Sequence, residues 1–334
     1  MKILAFETSC DDTSIALFEN DTLLSMRTAS QIKIHNETGG VVPEVASREH
    51  ANVIFDVLDD VLKAAKTSLQ EIDYIAVTTF PGLIPSLLTG ITVASTLSQT
   101  LKIPVLEIDH IQAHIFSNFL ERKESDIDFP LVCLTVSGGH NEVYYMSDMW
   151  SRDKLGQTQD DAAGEAYDKV AKMMWLWYPG WPIISKLADE YIGKSTGLFP
   201  RVFLEKSEFW FSFSWLKSAV KREVDRRWEL SHDDTKEISY EFQAAVNEVL
   251  SYKLLRAAQE KQVRTVLLAG GVSANDNLNE RISKEARKQW LSFFAPTKKL
   301  YCMDNAAMIG ILAYYRIKYN QFEHQIWGVR VGKW

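Results

Sequence analysis

Short apolar runs alternate along this chain with longer stretches in which apolar residues recur every three or four positions. The runs at 3–6 and 14–19 predict the two strands of a hairpin, because the polar turn ETSCDDT separates them. Residues 45–66 predict a helix, since apolar pairs recur there at helical spacing. The pattern continues with a strand at 74–78, a helix at 87–101, a strand at 104–108 and a helix that begins near His110.

A second cycle of the same kind begins near residue 131. Strands are predicted at 131–136, at 142–146 as its hairpin mate, and at 263–269 as a buried strand. Helices are predicted at 161–175, 214–228 and 238–262, and a last helix from 304. Alternating strands and helices predict an α/β fold. Two similar cycles favour two related lobes of mixed sheet and helices with a nucleotide cleft between them. We expect an N-terminal lobe at 1–125, joined by a C-terminal helix at 304–334, and a C-terminal lobe at 126–303.

Three turns directly follow apolar strand runs and carry small or polar residues. They are ETSCDDT at 7–13, VSGGH at 136–140 and AGGVSAN at 269–275. Glycine lets backbone N–H groups approach a phosphate or a ribose with no Cβ in the way. The candidate nucleotide or phosphate contacts are therefore Ser9, Asp11, Gly270 and Gly271, with Asn275 for hydroxyls or base edges. An ordinary tight turn is the alternative at each place, and the patterns GxxxxGK[ST] and GxGxxG are absent.

His110 and His114 lie four residues apart in HIQAH. On a helix both imidazoles project from one face, which suits two ligands of one metal ion; two ordinary helix histidines are the alternative. Asp304, at the predicted start of the last helix, is the candidate third ligand or else a helix N-cap. Two histidines and one carboxylate leave positions open for substrate, as at many Fe(II) sites. Position 111 is Ile, so the glutamate of the HExxH peptidase motif is missing.

Charge and cysteine content restrict the class of protein. The net charge of the 334 residues is −7, whereas a free-standing nucleic-acid binder is usually basic. One helical stretch has a basic side that suits either a nucleic acid or solvent: Lys217, Lys221, Arg222, Arg226 and Arg227. The three cysteines are far apart and form no CxxC, which fits reduced thiols in the cytoplasm. We expect neither a signal peptide nor a membrane span.

Motifs along nearly the whole chain resemble those of one family in order and spacing. They are FETSCDDTSIALF, GGVVPEVASREH, PGLIPSLLTG, HIQAH, LTVSGGHNEV, DDAAGEAYDKVAK, YPG-x-P, FSFS-x-LK, AGGVSAN and MDNAAMIG. In these motifs the chain resembles bacterial TsaD proteins, the tRNA threonylcarbamoyladenosine transferase family. The resemblance implies an actin-like, sugar-kinase/Hsp70-type ATPase fold with two lobes.

The resemblance also implies an activity. A threonylcarbamoyl group would pass from threonylcarbamoyl-AMP to the exocyclic amine of the adenosine beside the anticodon, in tRNAs that read ANN codons. One Fe(II) per subunit would be bound by His110, His114 and Asp304. The implied contacts to the adenylate substrate are Thr135, Val136, Ser137, Gly138, Gly139, Asp168, Asn275 and position 181, the second glycine of YPGGP, here Trp181. The implied partners are tRNA, the non-catalytic paralogue TsaB and the ATPase TsaE, while a separate enzyme makes the adenylate. The sequence identifies no general base.

Two other functions compete with this transferase. A metallopeptidase would use the same metal, but the glutamate missing from HIQAH argues against it. A non-catalytic scaffold resembling TsaB would need no metal, so the retention of His110, His114 and Asp304 argues against that role.

Tryptophan and glycine occur in unusual proportion. The chain has 16 glycines, where average usage of about 7% predicts roughly 23, and 10 tryptophans, all at or after Trp150. In MMWLWYPG, YPGWP and FSFSWLK, the TsaD pattern has glycine at the positions of Trp175, Trp181 and Trp215. Further tryptophans stand at turn-like places that suit glycine: Trp150, Trp177, Trp210, Trp290 and Trp327.

One hypothesis explains these departures together. The source organism reads UGA codons as glycine, and the printed sequence shows tryptophan there; Trp334 would be a genuine tryptophan. The alternative is a divergent family member with an altered or occluded site. Because an indole blocks close backbone approach, the chain as printed is expected to fold weakly and to bind the adenylate poorly. Glycine in place of Trp181 and Trp215 is expected to improve both.

Overall fold

The polar turn at residues 7–13 joins two adjacent antiparallel strands, as the hydrophobic pattern predicts. The computed structural model describes residues 1–202 and 208–322. The strands of the first sheet are β1 (Lys2–Glu7), β2 (Asp12–Glu19), β3 (Thr22–Ser30), β4 (Tyr74–Phe80) and β5 (Val105–Asp109), in the spatial order β3-β2-β1-β4-β5. β1, β2 and β3 are antiparallel, and Ala5 pairs with Ala16, whereas β4 runs parallel to both β1 and β5.

The second sheet repeats this arrangement. Its strands are β6 (Leu131–Val136), β7 (Asn141–Met146), β8 (Asp153–Gln157), β9 (Thr265–Ala269) and β10 (Ser292–Phe294), in the order β10-β9-β6-β7-β8. Again three consecutive strands, β6, β7 and β8, are antiparallel. β9 pairs in parallel with β6, and β10 pairs in parallel with β9. The two sequence cycles are therefore two copies of one topology, which confirms the predicted α/β fold with two related lobes.

Helices cover these sheets. The helices associated with the first sheet are α1 (Ile32–Thr38), α2 (Pro43–Ala65), α3 (Ile84–Leu101), α4 (His110–Phe116) and α10 (Ala306–Lys318), and of these α2, α3, α4 and α10 contact its strands. Those of the second are α5 (Ala163–Met173), α6 (Gly180–Asp189), α7 (Ser214–Arg227), α8 (His232–Lys261) and α9 (Asp276–Lys288). None of these described helices combines the length and the apolar character needed to cross a membrane.

The chain divides into two compact units. One comprises residues 1–123 and the chain from 296 onward, and the other comprises 124–295. The sequence-based expectation set the limits at 125 and 303. In the first unit α10 packs on β1 and β2, which joins the end of the described chain to its beginning. Residues 323–334 of the expected C-terminal helix lie outside the described residues.

Each unit has its own apolar core. In the first, Leu4 and Phe6 of β1 pack with Ile54 and Leu58 of α2. In the second, Tyr167 and Phe242 meet edge to face with ring centroids 4.9 Å apart. Burial of one such side chain stabilises the fold by about 1.5–3 kcal/mol. β1 and β9 are almost wholly buried, which explains why their sequences are continuous apolar runs rather than alternating ones.

The elements that the hydrophobic pattern did not predict lie mostly at edges. They are β3, α1, β8, α6, α9 and β10. β3 is an edge strand whose residues are largely exposed, so its sequence needs little apolar character. α9 buries only Leu278, Ile282 and Ala286, a narrow stripe among charged residues.

Candidate metal and substrate sites

The two histidines of HIQAH lie where a strand passes directly into a helix. β5 ends at Asp109, and α4 begins at His110. The Asp109 side chain caps the helix by accepting a hydrogen bond from the Gln112 amide at 2.9 Å. His110 and His114 are one helical turn apart, and their ring centroids are separated by 4.6 Å. Local structure thus places both imidazoles on one face of α4, as predicted.

Asp304 joins the two histidines from a distant part of the chain. Its Oδ1 lies 3.1 Å from Nε2 of His114 and 3.5 Å from Nε2 of His110. One ligand atom from each of the three residues falls within 4.8 Å of the other two. The cap of α10 is Asn305, whose side chain accepts from the Met308 amide, so Asp304 does not serve as that N-cap. Two imidazole nitrogens and one carboxylate therefore converge, and this donor set fits a divalent transition metal with open coordination positions.

Burial and charge set the protonation of this group. Burial alone would lower the pKa of His110, but the carboxylates of Asp304 and Glu7 raise it to about 9. Burial lowers the pKa of His114 below its usual value. Nδ1 of His114 is buried and, within the described residues, has no hydrogen-bond partner. A metal ion bound at this place would replace a proton on His110, because residues bind metals in their deprotonated forms.

Glu7 is a member of this group that sequence reasoning missed. It is completely buried, and its Oε2 lies 3.1 Å from Nδ1 of His110. It also accepts hydrogen bonds from the Ser9 amide at 2.6 Å and from the Thr78 hydroxyl at 2.5 Å. A carboxylate at the end of an apolar strand, in FETSC, was the only available signal.

The turn after β1 carries the predicted contacts Ser9 and Asp11. Ser9 is buried, and its hydroxyl lies 3.2 Å from Nδ1 of His110, so it belongs to the histidine network. Burial raises the pKa of Asp11, and it raises that of Asp12 to about 7. The negative charge of Asp304 adds to both shifts. Negative charge is therefore crowded at this turn, and a bound cation would relieve it.

In the second unit, two predicted turns meet at the ends of neighbouring parallel strands. Thr135 of β6 pairs with Ala269 of β9, and the glycine turns follow at once. Gly270 has a φ of 85°, and a Cβ there would lie 2.5 Å from the carbonyl oxygen of Val136. A Cβ on Gly138 or on Gly139 would meet no atom within 4 Å, so this turn borders open space. Ligands in open α/β sheets bind at such carboxyl ends.

Asp168 of the second unit lies next to Gly180, the residue that precedes position 181. Asp168 Oδ1 accepts a hydrogen bond from the Gly180 amide at 2.7 Å, at the first residue of α6. Trp181 is the next residue and packs, partly buried, against the core of the second unit. Gly180 is tightly enclosed, since a Cβ there would lie 2.5 Å from the carbonyl oxygen of Tyr167. The backbone of position 181 therefore follows directly on the Gly180 amide that binds Asp168.

Other predicted contacts are already engaged within the protein. The Asn275 side chain is buried; it caps α9 by accepting from the Leu278 amide and donates to Gln243. The Thr135 hydroxyl donates to the carbonyl of Glu142, and the Val136 side chain lies in the core. Ser137 shapes its own turn, where its hydroxyl accepts from the His140 amide. At Thr135, Val136 and Ser137 a ligand would therefore contact backbone rather than side chain.

Two family-like motifs of the second unit are bound to each other. Asp160 accepts from the Phe213 amide at 2.9 Å and from the Ser212 hydroxyl, both in FSFS. Asp161 accepts from Lys169 and Lys217, each at 2.6 Å. DDAAGEAYDKVAK and FSFSWLK thus form one structural group.

Most of the basic residues in the stretch on α7 are paired with carboxylates. Apart from Lys217, which binds Asp161, Lys221 pairs with Asp225, and Arg226 and Arg227 pair with Glu223. Arg227 also binds Asp234 and Glu237. These carboxylates neutralise much of the basic side, and the structure favours its interpretation as a solvated, internally paired helix face.

Solved structures of the same fold include proteins with little sequence similarity. The full-length HypF structure in the phosphate- and nucleotide-bound form is 14% identical, with a TM-score of 0.60 over 98% of this chain and 56% of that one. Component A of (R)-2-hydroxyglutaryl-CoA dehydratase from Acidaminococcus fermentans is 12% identical, with a TM-score of 0.55 over 95% of this chain and 99% of that one. At such identities the likeness is one of fold.

Sequence comparison finds proteins that are much more similar to this chain. The family model described as TsaD, tRNA N6-adenosine threonylcarbamoyltransferase, matches residues 22–311. Proteins with that name from Persephonella marina and Syntrophomonas wolfei are each 44% identical to this chain. They cover 95% and 94% of this chain, respectively, and 91% of each relative is covered. The relative from Staphylococcus epidermidis is 45% identical over 94% of this chain and 91% of its own length. The chain therefore belongs to the TsaD family of tRNA N6-adenosine threonylcarbamoyltransferases.

Proposed function

We propose that this protein transfers the threonylcarbamoyl group of threonylcarbamoyl-AMP to N6 of the adenosine beside the anticodon in tRNAs that read ANN codons. Family membership across residues 22–311 supports this activity. The observation that carries it to this chain is the convergence of His110, His114 and Asp304, whose ligand atoms lie within 4.8 Å of one another. A scaffold has no need of such a triad, and the HExxH glutamate that a metallopeptidase would use is missing from HIQAH.

The reaction is a simple acyl transfer. The N6 amine attacks the carbonyl carbon of the mixed anhydride, a C–N bond forms, the C–O bond to phosphate breaks, and AMP leaves while N6 loses one proton. The residues of the second unit would bind the AMP portion, with backbone N–H groups at Gly138, Gly139, Gly270 and Gly271 toward the phosphate. Because AMP is already a good leaving group, positioning of the acyl carbon against the amine is the main task of the protein.

We propose Fe(II) as the bound metal, one per subunit. His110 and His114 would each supply Nε2, and Asp304 one carboxylate oxygen. When bound, the ion would act as a Lewis acid that polarises substrate oxygens. The fit rests on the donor set and on burial, since His114 is 1% exposed and the Asp304 side chain 26% exposed. The histidine side of such a site is shielded from solvent, and the carboxylate side is accessible to it.

Reconstitution tests the function directly. Iron-loaded protein is incubated with tRNA that reads an ANN codon, threonylcarbamoyl-AMP and the partner proteins, and the digested nucleosides are analysed by mass spectrometry. We expect N6-threonylcarbamoyladenosine at the position beside the anticodon. Cleavage of peptide substrates without tRNA modification would favour the metallopeptidase, and modification that persists when this protein is omitted would favour the scaffold.

We propose tRNA, a TsaB-like paralogue and a TsaE-like ATPase as partners in the cytoplasm, with a separate enzyme supplying the adenylate. An exposed apolar groove in the first unit supports a protein partner. It lies between α2 and α3, where Phe55 is 61% and Leu88 44% exposed. The net charge of −7 also favours partners that supply part of the tRNA-binding surface. The reconstituted assay tests this, since omission of the paralogue should lower the yield.

Replacing Trp181 by glycine should increase the affinity for the adenylate. Position 181 follows directly on Gly180, whose amide binds Asp168, and where the TsaD pattern has glycine this chain has an indole. Removing it would open this side of the site, and we expect Kd for an unreactive threonylcarbamoyl-AMP analogue to fall by at least about tenfold, which corresponds to about 1.4 kcal/mol. Isothermal titration calorimetry provides the measurement.

Trp177→Gly is the matched control for this change. Trp177 is 70% exposed and precedes the YPGWP segment, so its loss should leave the affinity of the analogue unchanged. Equal affinities of the parent and Trp181→Gly proteins would contradict the assignment of position 181 to the adenylate site.

A further inference from the structure

Glu7 lies at the Nδ1 edge of the His110 ring and hydrogen-bonds to it. Its Oε2 lies 3.1 Å from Nδ1 of His110, while Nε2 of the same ring is directed at Asp304. A carboxylate that accepts from Nδ1–H keeps the proton on that nitrogen and leaves the lone pair of Nε2 for a metal. Both side-chain oxygens of Glu7 accept hydrogen bonds from neighbouring donors, which is the pattern of an ionised carboxylate.

Glu7 is itself held in place. The Ser9 amide donates to Oε1, and the Thr78 hydroxyl from the neighbouring β4 donates to Oε2. A buried charge is retained only where such hydrogen bonds compensate its desolvation. His114 has no equivalent support, because its Nδ1 has no partner among the described residues. The two ligands thus differ at Nδ1, where His110 has a carboxylate partner and His114 has none among the described residues.

We infer that Glu7 is a positioning residue, which fixes the tautomer and the ring orientation of His110 for metal binding. This inference rests on the proposed metal site. In Glu7→Gln, the amide oxygen must stay toward the Ser9 N–H, so the NH₂ group faces His110 and donates to Nδ1. That hydrogen bond moves the ring proton to Nε2 and blocks the ligand position.

The test measures Glu7→Gln in two ways. Fe(II) affinity, measured by competition with a chelator under anaerobic conditions, should fall by about 10–100-fold. In metal-free protein with ¹⁵N-labelled histidine, at a pH above the His110 pKa of about 9 so that the ring is neutral, Nδ1 of His110 should carry a proton in the parent chain and lose it in the variant. Unchanged affinity together with an unchanged Nδ1 proton would overturn the role of Glu7. A parent chain that binds no iron would overturn the metal site itself, and the Nδ1 measurement separates these failures.

Glu241→Gln is the matched control. Glu241 is likewise fully buried, but it lies in the second unit and accepts hydrogen bonds from Ser195 and from the Leu198 amide. Loss of its charge should leave Fe(II) affinity unchanged, although it should destabilise the fold to a similar extent as Glu7→Gln.

A second and independent observation concerns tryptophans at the ends of helices. α5 and α9 both end in the same capping arrangement, with Trp175 and Trp290 two residues beyond the last helical residue. The amides of Trp175 and Leu176 bond back to the carbonyls of Lys172 and Ala171. Those of Trp290 and Leu291 bond to Arg287 and Ala286 in the same way. This is the Schellman motif, whose left-handed position is usually glycine.

The backbone at these tryptophans has the geometry that glycine favours. Trp175 has a φ of 61° and Trp290 a φ of 58°. α10 ends in the same way with Asn320 at that position, and asparagine tolerates left-handed backbone. For tryptophan, Cβ comes too close to the following carbonyl.

Trp228 is a third case, which the sequence motifs did not single out. It directly follows α7, with φ 60° and ψ −59°. The Glu229 amide donates to the carbonyl of Arg227 at 2.8 Å, which makes Trp228 the centre of a γ-turn. With positive φ this turn is rare and strained, and glycine is the residue that adopts it at no steric cost.

The side chains themselves make few contacts. Trp175 and Trp290 are each 91% exposed and Trp228 is 88% exposed, although tryptophan is a large apolar residue. In the described part of the chain, tryptophan occupies three of the nine positive-φ positions that are not glycine, and the other six carry polar residues. Each of these three tryptophans thus has a disfavoured backbone conformation, and its indole is hardly buried.

We propose that residues 175, 228 and 290 of the natural protein are glycines, encoded by UGA. The positive φ values lead to this without reference to family motifs, and they add Trp228 to the positions that the sequence singled out. By contrast, Trp181 and Trp215 lie in the first turns of α6 and α7 without positive φ. Glycine there would serve ligand approach rather than the relief of backbone strain. Trp327 and Trp334 lie outside the described residues.

The coding DNA and the natural protein test this proposal. We expect TGA at codons 175, 228 and 290, and glycine in the corresponding tryptic peptides of the protein isolated from its source and analysed by mass spectrometry. TGG at these three codons would overturn it. So would TGA codons whose peptides contain tryptophan.

Discussion

Replacing His114 by alanine should remove Fe(II) binding and lower the rate of threonylcarbamoyl transfer by at least about 100-fold. Loss of an outer-shell partner alone typically costs about 10–100-fold, and His114 is one of only two nitrogen donors in the triad. Its Nε2 lies 3.1 Å from Asp304 Oδ1, and alanine leaves the triad with one nitrogen donor, His110. Iron content by elemental analysis and the reconstituted tRNA assay measure the two effects.

His50→Ala is the matched control for this experiment. His50 is equally buried in the first unit, but it bonds to the Thr13 hydroxyl and to the carbonyl of Cys10 rather than to Asp304. That variant should retain one iron per chain. If His114→Ala lost its iron and kept the full transfer rate, the metal would have no part in the reaction, and the proposed role of the triad would be wrong.

Replacing Trp175, Trp228 and Trp290 together by glycine should stabilise the second unit. Left-handed backbone costs a residue with a Cβ about 1–2 kcal/mol, so release of three such positions should add about 3–6 kcal/mol. For a unit of this size each kcal/mol raises Tm by roughly 2–4 °C. Calorimetry of the full chain should therefore show a transition that rises by roughly 6 °C or more.

The corresponding triple alanine variant isolates the cause. Alanine removes the exposed indoles but keeps Cβ, and with it most of the backbone strain. The glycine variant should therefore be more stable than the alanine variant, and both should match the parent chain in Fe(II) content. Equal Tm values for the glycine and alanine variants would show that these positions carry no strain that glycine relieves.

The hydrophobic pattern predicted the central elements well. The first hairpin, the helix at 45–66 and the buried strand at 263–269 correspond to β1–β2, α2 and β9. Each buries apolar side chains on at least one complete face, and this requirement is written directly into residue spacing. Edge elements such as β3 and α9 bury little, so their sequences carried a weaker signal.

The candidate sites divide in the same way. His110 and His114 are neighbours on a helix, so their spacing alone placed them together. Asp304 was named from its motif, but its approach to His114 across 190 residues depends on α10 packing against β1 and β2. Glu7 escaped notice because nothing local distinguishes a buried carboxylate that orients a histidine from any other strand residue.

By itself, then, the sequence determined the α/β class, the repeated cycle, the family and the identity of the three candidate ligands. These depend on local periodicity and on motif spacing, which need no knowledge of distant contacts. Only the tertiary structure decided that Glu7 supports His110, that Asn275 is a helix cap, and that Trp175, Trp228 and Trp290 have left-handed backbone. The reason is physical: hydrogen-bond partners and the φ angles at helix ends are fixed by how separate elements pack and terminate, and residue order alone does not reveal them.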